Sequence, residues 1–409
     1  MARRVLIVAL LLAIAAVALV RLHREPPPRP REPFAFTCPA PAPSPPALAE
    51  PAPAVGVNTH LLRDDTRNAT RCALLDRLTA AGVTWLRLDL RWSEAQPRDP
   101  ASGDRFADSL DRGRLARLGS TVDAARARGL RVLVVVFATP QWASGGPVES
   151  AGPPLDAAGY GRFLGFLASR YRGRVDAWQV WNEPNESTFF DADGEASFSA
   201  VDAAAYATLL RRAAPAVRRG DPDALVVLGG PSYNNVPWLE LIYAQGVRGL
   251  FDVMAVQPYS IPSCRAPEVD DGSIYVLPAV SRVRALMERV GDGALPIWFT
   301  EFGWSSHANP PLAPDYRLGV PEQAQGDYLV RTLVLLRERY PYVEAAFWYR
   351  DRDAVIDGQD PTEAAHLGGF GLLRRDLAAK PAYRTLRAYL LTGTVPGRRD
   401  APCPDAAGA

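Results

Sequence analysis

Two glutamates stand where apolar strands give out. Trp178-Gln-Val-Trp-Asn-Glu-Pro-Asn185 reads as a buried strand ending in a polar cluster, with Glu183 held between Asn182 and Pro184. Leu295-Pro-Ile-Trp-Phe-Thr-Glu-Phe-Gly-Trp304 has the same form and ends on Glu301. A carboxylate is costly to desolvate, so one set directly after a buried strand needs a partner or a task. A single such glutamate is ordinary: it faces water or pairs with an arginine. Two of them, each flanked by tryptophan, are the residue types that glycoside cleavage requires. One carboxyl protonates the leaving oxygen, and the other attacks or activates water.

Trp181-Asn182-Glu183-Pro184 resembles the acid/base signature of clan A glycoside hydrolases, and Thr300-Glu301-Phe302-Gly303 resembles the nucleophile strand of the same clan. The resemblance runs from about Val55 to about Leu391 and is nearest in style to families 5 and 39. It implies a retaining β-glycosidase with Glu183 as acid/base and Glu301 as nucleophile, needing no metal or organic cofactor. Arg87 matches the second-strand arginine that sits beside the nucleophile and keeps it ionised; a purely structural Arg87–Asp89 pair is the alternative. Asn182 matches the asparagine that hydrogen-bonds the substrate 2-hydroxyl. Tyr259 matches a tyrosine that hydrogen-bonds the nucleophile, and Trp348 a tryptophan forming the floor under the bound sugar. Where relatives often carry histidine this chain has Gln257, which leaves that position without a role.

Other candidates follow from position at a strand end. The first strand ends at Asn58 and His60, and His60 is either a sugar contact or a packed residue. Arg87, Asp89 and Arg91 recur at period two and so share one face of a strand, where buried charges must be paired. Trp142, in Phe137-Ala-Thr-Pro-Gln-Trp-Ala143, suits a stacking surface for a sugar ring or simple packing under its loop. Around Glu183 and Glu301 the expected substrate-binding set is therefore Asn58, His60, Arg87, Trp142, Asn182, Tyr259 and Trp348. Glu94, Gln96 and the run Arg350-Asp-Arg-Asp353 take no role, the run reading as solvated charge.

Eight short apolar stretches must position these residues: Val55–His60, Val83–Leu90, Leu130–Phe137, Val175–Trp181, Leu225–Gly229, Phe251–Gln257, Pro296–Thr300 and Val343–Tyr349. They are rich in Val and Ile with little alternation, as strands buried on both faces are. Amphipathic helices alternate with them. After the third strand Tyr160, Phe163, Leu164, Leu167 and Tyr171 make one stripe behind Asp156 as N-cap. Eight strand–helix units predict an α/β fold, a single (β/α)8 TIM barrel over 54–395, with its active site where the strands end.

The 409 residues carry 46 basic and 45 acidic side chains, a balance that gives no sign of a nucleic-acid surface. Residues 1–24 hold Arg3 and Arg4 followed by an apolar run from Val5 to Val20, either a cleaved signal peptide or an uncleaved membrane anchor. A Pro/Ala-rich linker over 25–53 should be an extended spacer, and 396–409 a tail. The protein is thus expected to be exported, either anchored at the cell surface or secreted, and complete as an enzyme from Ala54 onward. Its expected partner is a β-linked polysaccharide or oligosaccharide, with the membrane as a second partner if the segment stays uncleaved. Cys38, Cys72, Cys264 and Cys403 lack metal-ligand spacing and are disulfide candidates. A barrel's first strand begins and its last helix ends on one face, which predicts a Cys38–Cys403 bridge and leaves Cys72 and Cys264 open. Two rival functions stand beside the glycosidase: a carbohydrate-binding pseudoenzyme, and a barrel acting on phosphorylated metabolites. Against the second, Gly303 is followed by Trp304 and not by a glycine cluster.

Overall fold

The computed structural model describes residues 33–41, 53–101, 106–144, 152–195 and 197–403. The hydrophobic segment 1–24 and most of 25–53 lie outside them. Among the described residues no helix is long and apolar enough to cross a membrane.

Eight parallel strands form one sheet: β1 (Ala54–Thr59), β2 (Trp85–Arg91), β3 (Arg131–Phe137), β4 (Ala177–Val180), β5 (Leu225–Val227), β6 (Met254–Val256), β7 (Ile297–Phe302) and β8 (Val343–Trp348). Their order is β5-β4-β3-β2-β1-β8-β7-β6. A parallel bridge between Val227 and Val253 draws the two edges together. Helices α1 (Asn68–Ala80), α2 (Arg112–Arg126), α3 (Ala157–Arg170), α4 (Ala200–Gly220), α5 (Val236–Ala244), α6 (Val280–Val290), α7 (Glu322–Arg339) and α8 (Pro381–Thr392) follow the strands in turn. This is a (β/α)8 barrel. Asp156 caps α3 by accepting from Ala158 N, and Tyr160, Phe163, Leu164, Leu167 and Tyr171 are all buried behind it.

Alternation along the strands divides the core in two. One face of each strand, with the helices, forms the main apolar layer. The other face fills the barrel, where Trp85, Trp298 and Phe347 meet edge-on or tilted at 5.0 to 6.0 Å between ring centroids. Gly56 must be glycine here, since a Cβ would stand 2.2 Å from the Phe347 ring. One step up each strand the same face turns polar: Asn58, Arg87, Gln179, Gln257 and Thr300 are all buried. Aromatic packing below and hydrogen bonding above thus share one barrel interior.

Both tails differ from expectation. Cys38 pairs with Cys72 and Cys264 with Cys403, so the expected Cys38–Cys403 bridge is not formed. The chain ends leave the barrel over different helices. Before β1, Phe34 lies under the Arg117 guanidinium of α2 at 4.5 Å, Phe36 N donates to Ser120 Oγ, and Cys38 joins α1. This part of the proline-rich stretch is docked and does not behave as a spacer. After α8 the tail runs along α7, where Arg399 N donates to Asp327 and Ala401 N to the Tyr328 hydroxyl. It ends on Cys264 in the loop after β6, on the side of the barrel where the strands finish.

Candidate active site

The two glutamates reach the mouth because the strands carrying them break their own alternation. On β4, Ala177 faces the barrel interior while Trp178 and Val180 face the helices. By period two Trp181 would turn inward. Instead its φ of 71° resets the phase, and its ring packs outward against Tyr160 and Phe190. Asn182 and Glu183 then turn inward, with Glu183 itself at φ 43°. Left-handed backbone at residues with a Cβ costs on the order of 1–3 kcal/mol each and persists only where the surroundings impose it. On β7 the device is a bulge. Phe299 stands opposite Ala346 and Phe302 opposite Trp348, so the strand gains one residue and Glu301 is re-aimed into the mouth.

Arg87 joins the strands beneath the pair. Its Nη1 donates to Glu301 Oε1 at 2.8 Å and to Asn58 Oδ1 at 2.6 Å, its Nη2 to Asn182 Oδ1 at 2.7 Å, and its Nε to Gln179 Oε1 at 2.9 Å. Asp89 is a weaker partner at 3.4 Å. Tyr259 donates its hydroxyl to Glu301 Oε2 at 3.0 Å. Gln257, left without a role by the sequence, donates to Asn182 Oδ1 at 2.9 Å. With two donors on that oxygen, the Asn182 amide nitrogen is the group left to serve the cavity that Asn182 lines.

The carboxyls differ in company. Glu301 accepts from a guanidinium and a phenol, whereas the Glu183 carboxyl has no hydrogen-bond donor among the described residues. Burial first, then the negative charges of Glu301 and Glu186, raise Glu183 well above the usual carboxylate range. Burial also raises Glu301, but there the Arg87 charge and the Tyr259 and Arg87 hydrogen bonds pull back. Glu301 ionises first.

The cavity above them, about 450 Å³, is lined by Glu183, Glu301, Asn182, His60 and Tyr259. Of the expected substrate-binding set it therefore presents three residues directly. Asn58 and Arg87 lie below the surface, 2% and 1% exposed, and hold other side chains in place. Trp348 is fully buried on the helix-facing side of β8, its Nε1 donating to Phe370 O, and does not reach the cavity. Alternation assigns the floor to the next residue, Tyr349, which lines the cavity. Trp142 packs edge-on to Trp92 and donates to Gln96 O, so it is a loop-packing residue. His60 approaches Asp89 at 3.7 Å and Tyr349 edge-on at 6.0 Å.

Several residues of the site escaped sequence reasoning, Glu186, Ser232, Tyr233, Tyr316 and Tyr349 lining the cavity and Asn185 and Gln179 buried behind it. Glu186, Ser232 and Asn185 form a hydrogen-bonded group beside Glu183. Tyr233, at φ 61°, and Tyr316 present rings on the same side. Gln179 had a signal, a polar residue in phase with Ala177 inside an apolar strand. Tyr349 had one too, two residues beyond the inward Phe347. The loop residues had none, since no periodicity governs them.

A sequence-family model described as Cellulase (glycosyl hydrolase family 5) matches residues 48–260. No curated protein matches the chain. Among solved structures the chain is similar to a family 39 glycoside hydrolase from Bacteroides cellulosilyticus WH2, with TM-score 0.63 and 22% identity over 85% of this chain. It spans 66% of that protein's length, just under two thirds. It is also similar to a family 5 subfamily 18 enzyme from Streptomyces cattleya solved with Manβ1-4GlcNAc, with TM-score 0.61 and 20% identity over 85% of this chain and 83% of that one. A monomeric β-xylosidase from Caulobacter crescentus CB15 gives TM-score 0.58 and 18% identity over 84% of this chain and 69% of that one.

Proposed function

The chain belongs to glycosyl hydrolase family 5, and from that membership we propose a retaining β-glycosidase acting on a poly- or oligosaccharide, with Glu183 as acid/base and Glu301 as nucleophile. The unequal company of the two carboxyls carries the assignment. A nucleophile must be ionised, and Glu301 has Arg87 at 2.8 Å and the Tyr259 hydroxyl at 3.0 Å. A general acid must keep its proton, and Glu183 is held protonated by burial and by the charge of its partner.

In the first step a Glu301 oxygen attacks the anomeric carbon while Glu183 gives its proton to the departing oxygen. In the second, Glu183 takes a proton from water, whose oxygen displaces Glu301 and restores the β configuration. The Asn182 amide nitrogen is placed to bond the sugar 2-hydroxyl, and Tyr349 to lie under the ring. A β-linked oligosaccharide is supported by the neighbour solved with Manβ1-4GlcNAc. Export, with or without a membrane anchor at 1–24, is supported by two disulfides, which persist in oxidising compartments.

Azide tests the assignment. Glu301→Ala should abolish turnover of an activated aryl β-glycoside, and azide should restore part of it as the α-glycosyl azide. Glu183→Ala should spare the first step with good leaving groups, and azide should then give a β-product. An inverted product from the parent enzyme would make it an inverting hydrolase and overturn the role of Glu301. Unchanged activity in both variants would favour a carbohydrate-binding protein without hydrolysis.

A further inference from the structure

The run Arg350-Asp-Arg-Asp353, expected to be solvated charge, begins with two buried residues, Arg350 and Asp351. Arg350 is 4% exposed, yet among the described residues its guanidinium has no hydrogen-bond acceptor; its one ion-pair approach is 3.9 Å to the adjacent Asp351. Its Nε is buried and unpartnered. A buried guanidinium without acceptors is costly, by several kcal/mol in typical cases, unless something outside the protein supplies them. Arg350 lines a cavity beside the active site, and Arg63 lines both that cavity and the one holding the glutamates. Arg63 is exposed, and no side-chain partner for it is found among the described residues. Four aspartates, Asp65, Asp353, Asp357 and Asp376, line the Arg350 cavity with five arginines, Arg63, Arg350, Arg352, Arg374 and Arg375. Of the acidic groups, Asp353 is held by Lys380 at 2.9 Å, and Asp89 of the glutamate cavity faces Arg87 and His60.

The position is informative. Arg350 follows β8, which stands across the barrel from β4 and Glu183. Because Glu183 protonates the leaving oxygen, the leaving group departs toward β4. The sugar retained on Glu301, and any sugar beyond it, lies toward β8 and β1. Burial, followed by the charges of Arg350, Arg63, Arg87 and Arg352, holds His60 well below the ordinary imidazole value, so four arginine charges reach this side of the site.

We propose that Arg350 and Arg63 bind an anionic substituent, a carboxylate or a sulfate ester, on the substrate sugars retained beyond Glu301. A guanidinium fork matches either oxyanion with two hydrogen bonds, and each is stronger for being charged. The inference rests on the glycosidase reading for its orientation.

Binding without turnover tests it. The Glu301→Gln protein is titrated calorimetrically with β-1,4-linked gluco- and manno-tetrasaccharides, each in neutral, 6-carboxylated and 6-sulfated form. On at least one backbone an anionic form should bind about tenfold tighter than its neutral counterpart, or better, the effect of one charge-assisted hydrogen bond gained. Whichever anion binds tighter names the substituent. The advantage should shrink as salt is raised from about 0.05 to about 0.5 M. It should fall to within about twofold in both Arg63→Ala and Arg350→Met, since either change removes one arm of the charged contact. Arg63 is exposed, so its variant decides the matter if Arg350→Met does not fold. Neutral forms that bind as well as the anionic ones, no binding of either anionic form, or an advantage that survives both substitutions would each overturn the proposal. Failure of the glycosidase reading is seen separately, as absent turnover of aryl β-glycosides by the parent enzyme.

Discussion

Arg87 is the residue on which the site converges, because one guanidinium answers acceptors from β1, β4 and β7. Asn58, Gln179, Asn182 and Glu301 all receive from it. A lysine could meet one or two of these and would leave the others buried without donors. The charge on Arg87 also separates the two glutamates in acidity, and this has a pH signature. Glu183 titrates above the ordinary carboxylate range in the folded protein. A raised carboxyl pKa contributes stability at low pH that is lost as pH rises through the folded value. The same rise deprotonates the general acid. We predict that kcat/KM falls on the alkaline limb as Glu183 ionises, and that parent unfolding temperature declines over the same pH interval. Glu183→Gln cannot titrate there, so its unfolding temperature should decline less. Superimposable stability profiles for parent and Glu183→Gln would place the titration elsewhere.

Elements position these residues by departing from regularity at chosen points. A regular β4 would turn Trp181 into the barrel and Asn182 away from Arg87. A regular β7 would leave Glu301 out of phase with Tyr259. One left-handed residue and one bulge correct both. Below them the barrel must hold its shape, and the tightest point is Gly56 against Phe347. Gly56→Ala should destabilise the fold by about 1–3 kcal/mol, the usual cost of overpacking. Phe347→Leu in the same chain should recover part of the loss by making room for the methyl. Denaturant unfolding of the single and double variants measures both. A Gly56→Ala chain as stable as the parent would mean that the Phe347 ring moves freely, contrary to its packing on Trp85 and Trp298.

At the scale of the whole molecule the described parts of both tails, 33–41 and 393–403, belong to the folded body. The bridges close separations of 34 and 139 residues. Chain entropy puts their upper worth at about 4 and about 5 kcal/mol. Replacing Cys38 and Cys72 by serine should therefore lower the denaturation midpoint, and replacing Cys264 and Cys403 should lower it somewhat more. A chain begun at Ala54 should resemble the first variant or fall below it. It loses the bridge and the Phe34 and Phe36 contacts with α2 and leaves Cys72 as a free thiol. It keeps every residue that touches Glu183 or Glu301. A midpoint unmoved in both serine variants would show that the docked tails hold without their bridges.

The amino-acid sequence alone determined the barrel and the two carboxylates at its mouth. Strands buried on both faces must be apolar throughout, so eight Val/Ile-rich runs and the polar residues that end them are visible without coordinates. Arg87 was visible too, because a period-two row of charges inside a barrel demands partners. Facing was decided only by tertiary structure. Trp348 was placed in the cavity where Tyr349 stands, and Asn58 was read as a sugar contact although it holds Arg87. Facing depends on strand register and on backbone angles such as those of Trp181, which packing imposes and residue type does not. Trp142 went astray for a related reason, since a loop tryptophan stacks on whatever its loop brings near, here Trp92. The cysteine pairing was decided by the routes of the two tails over α1, α2 and α7. Those routes follow from side-chain contacts between residues far apart in the chain, which no local pattern records.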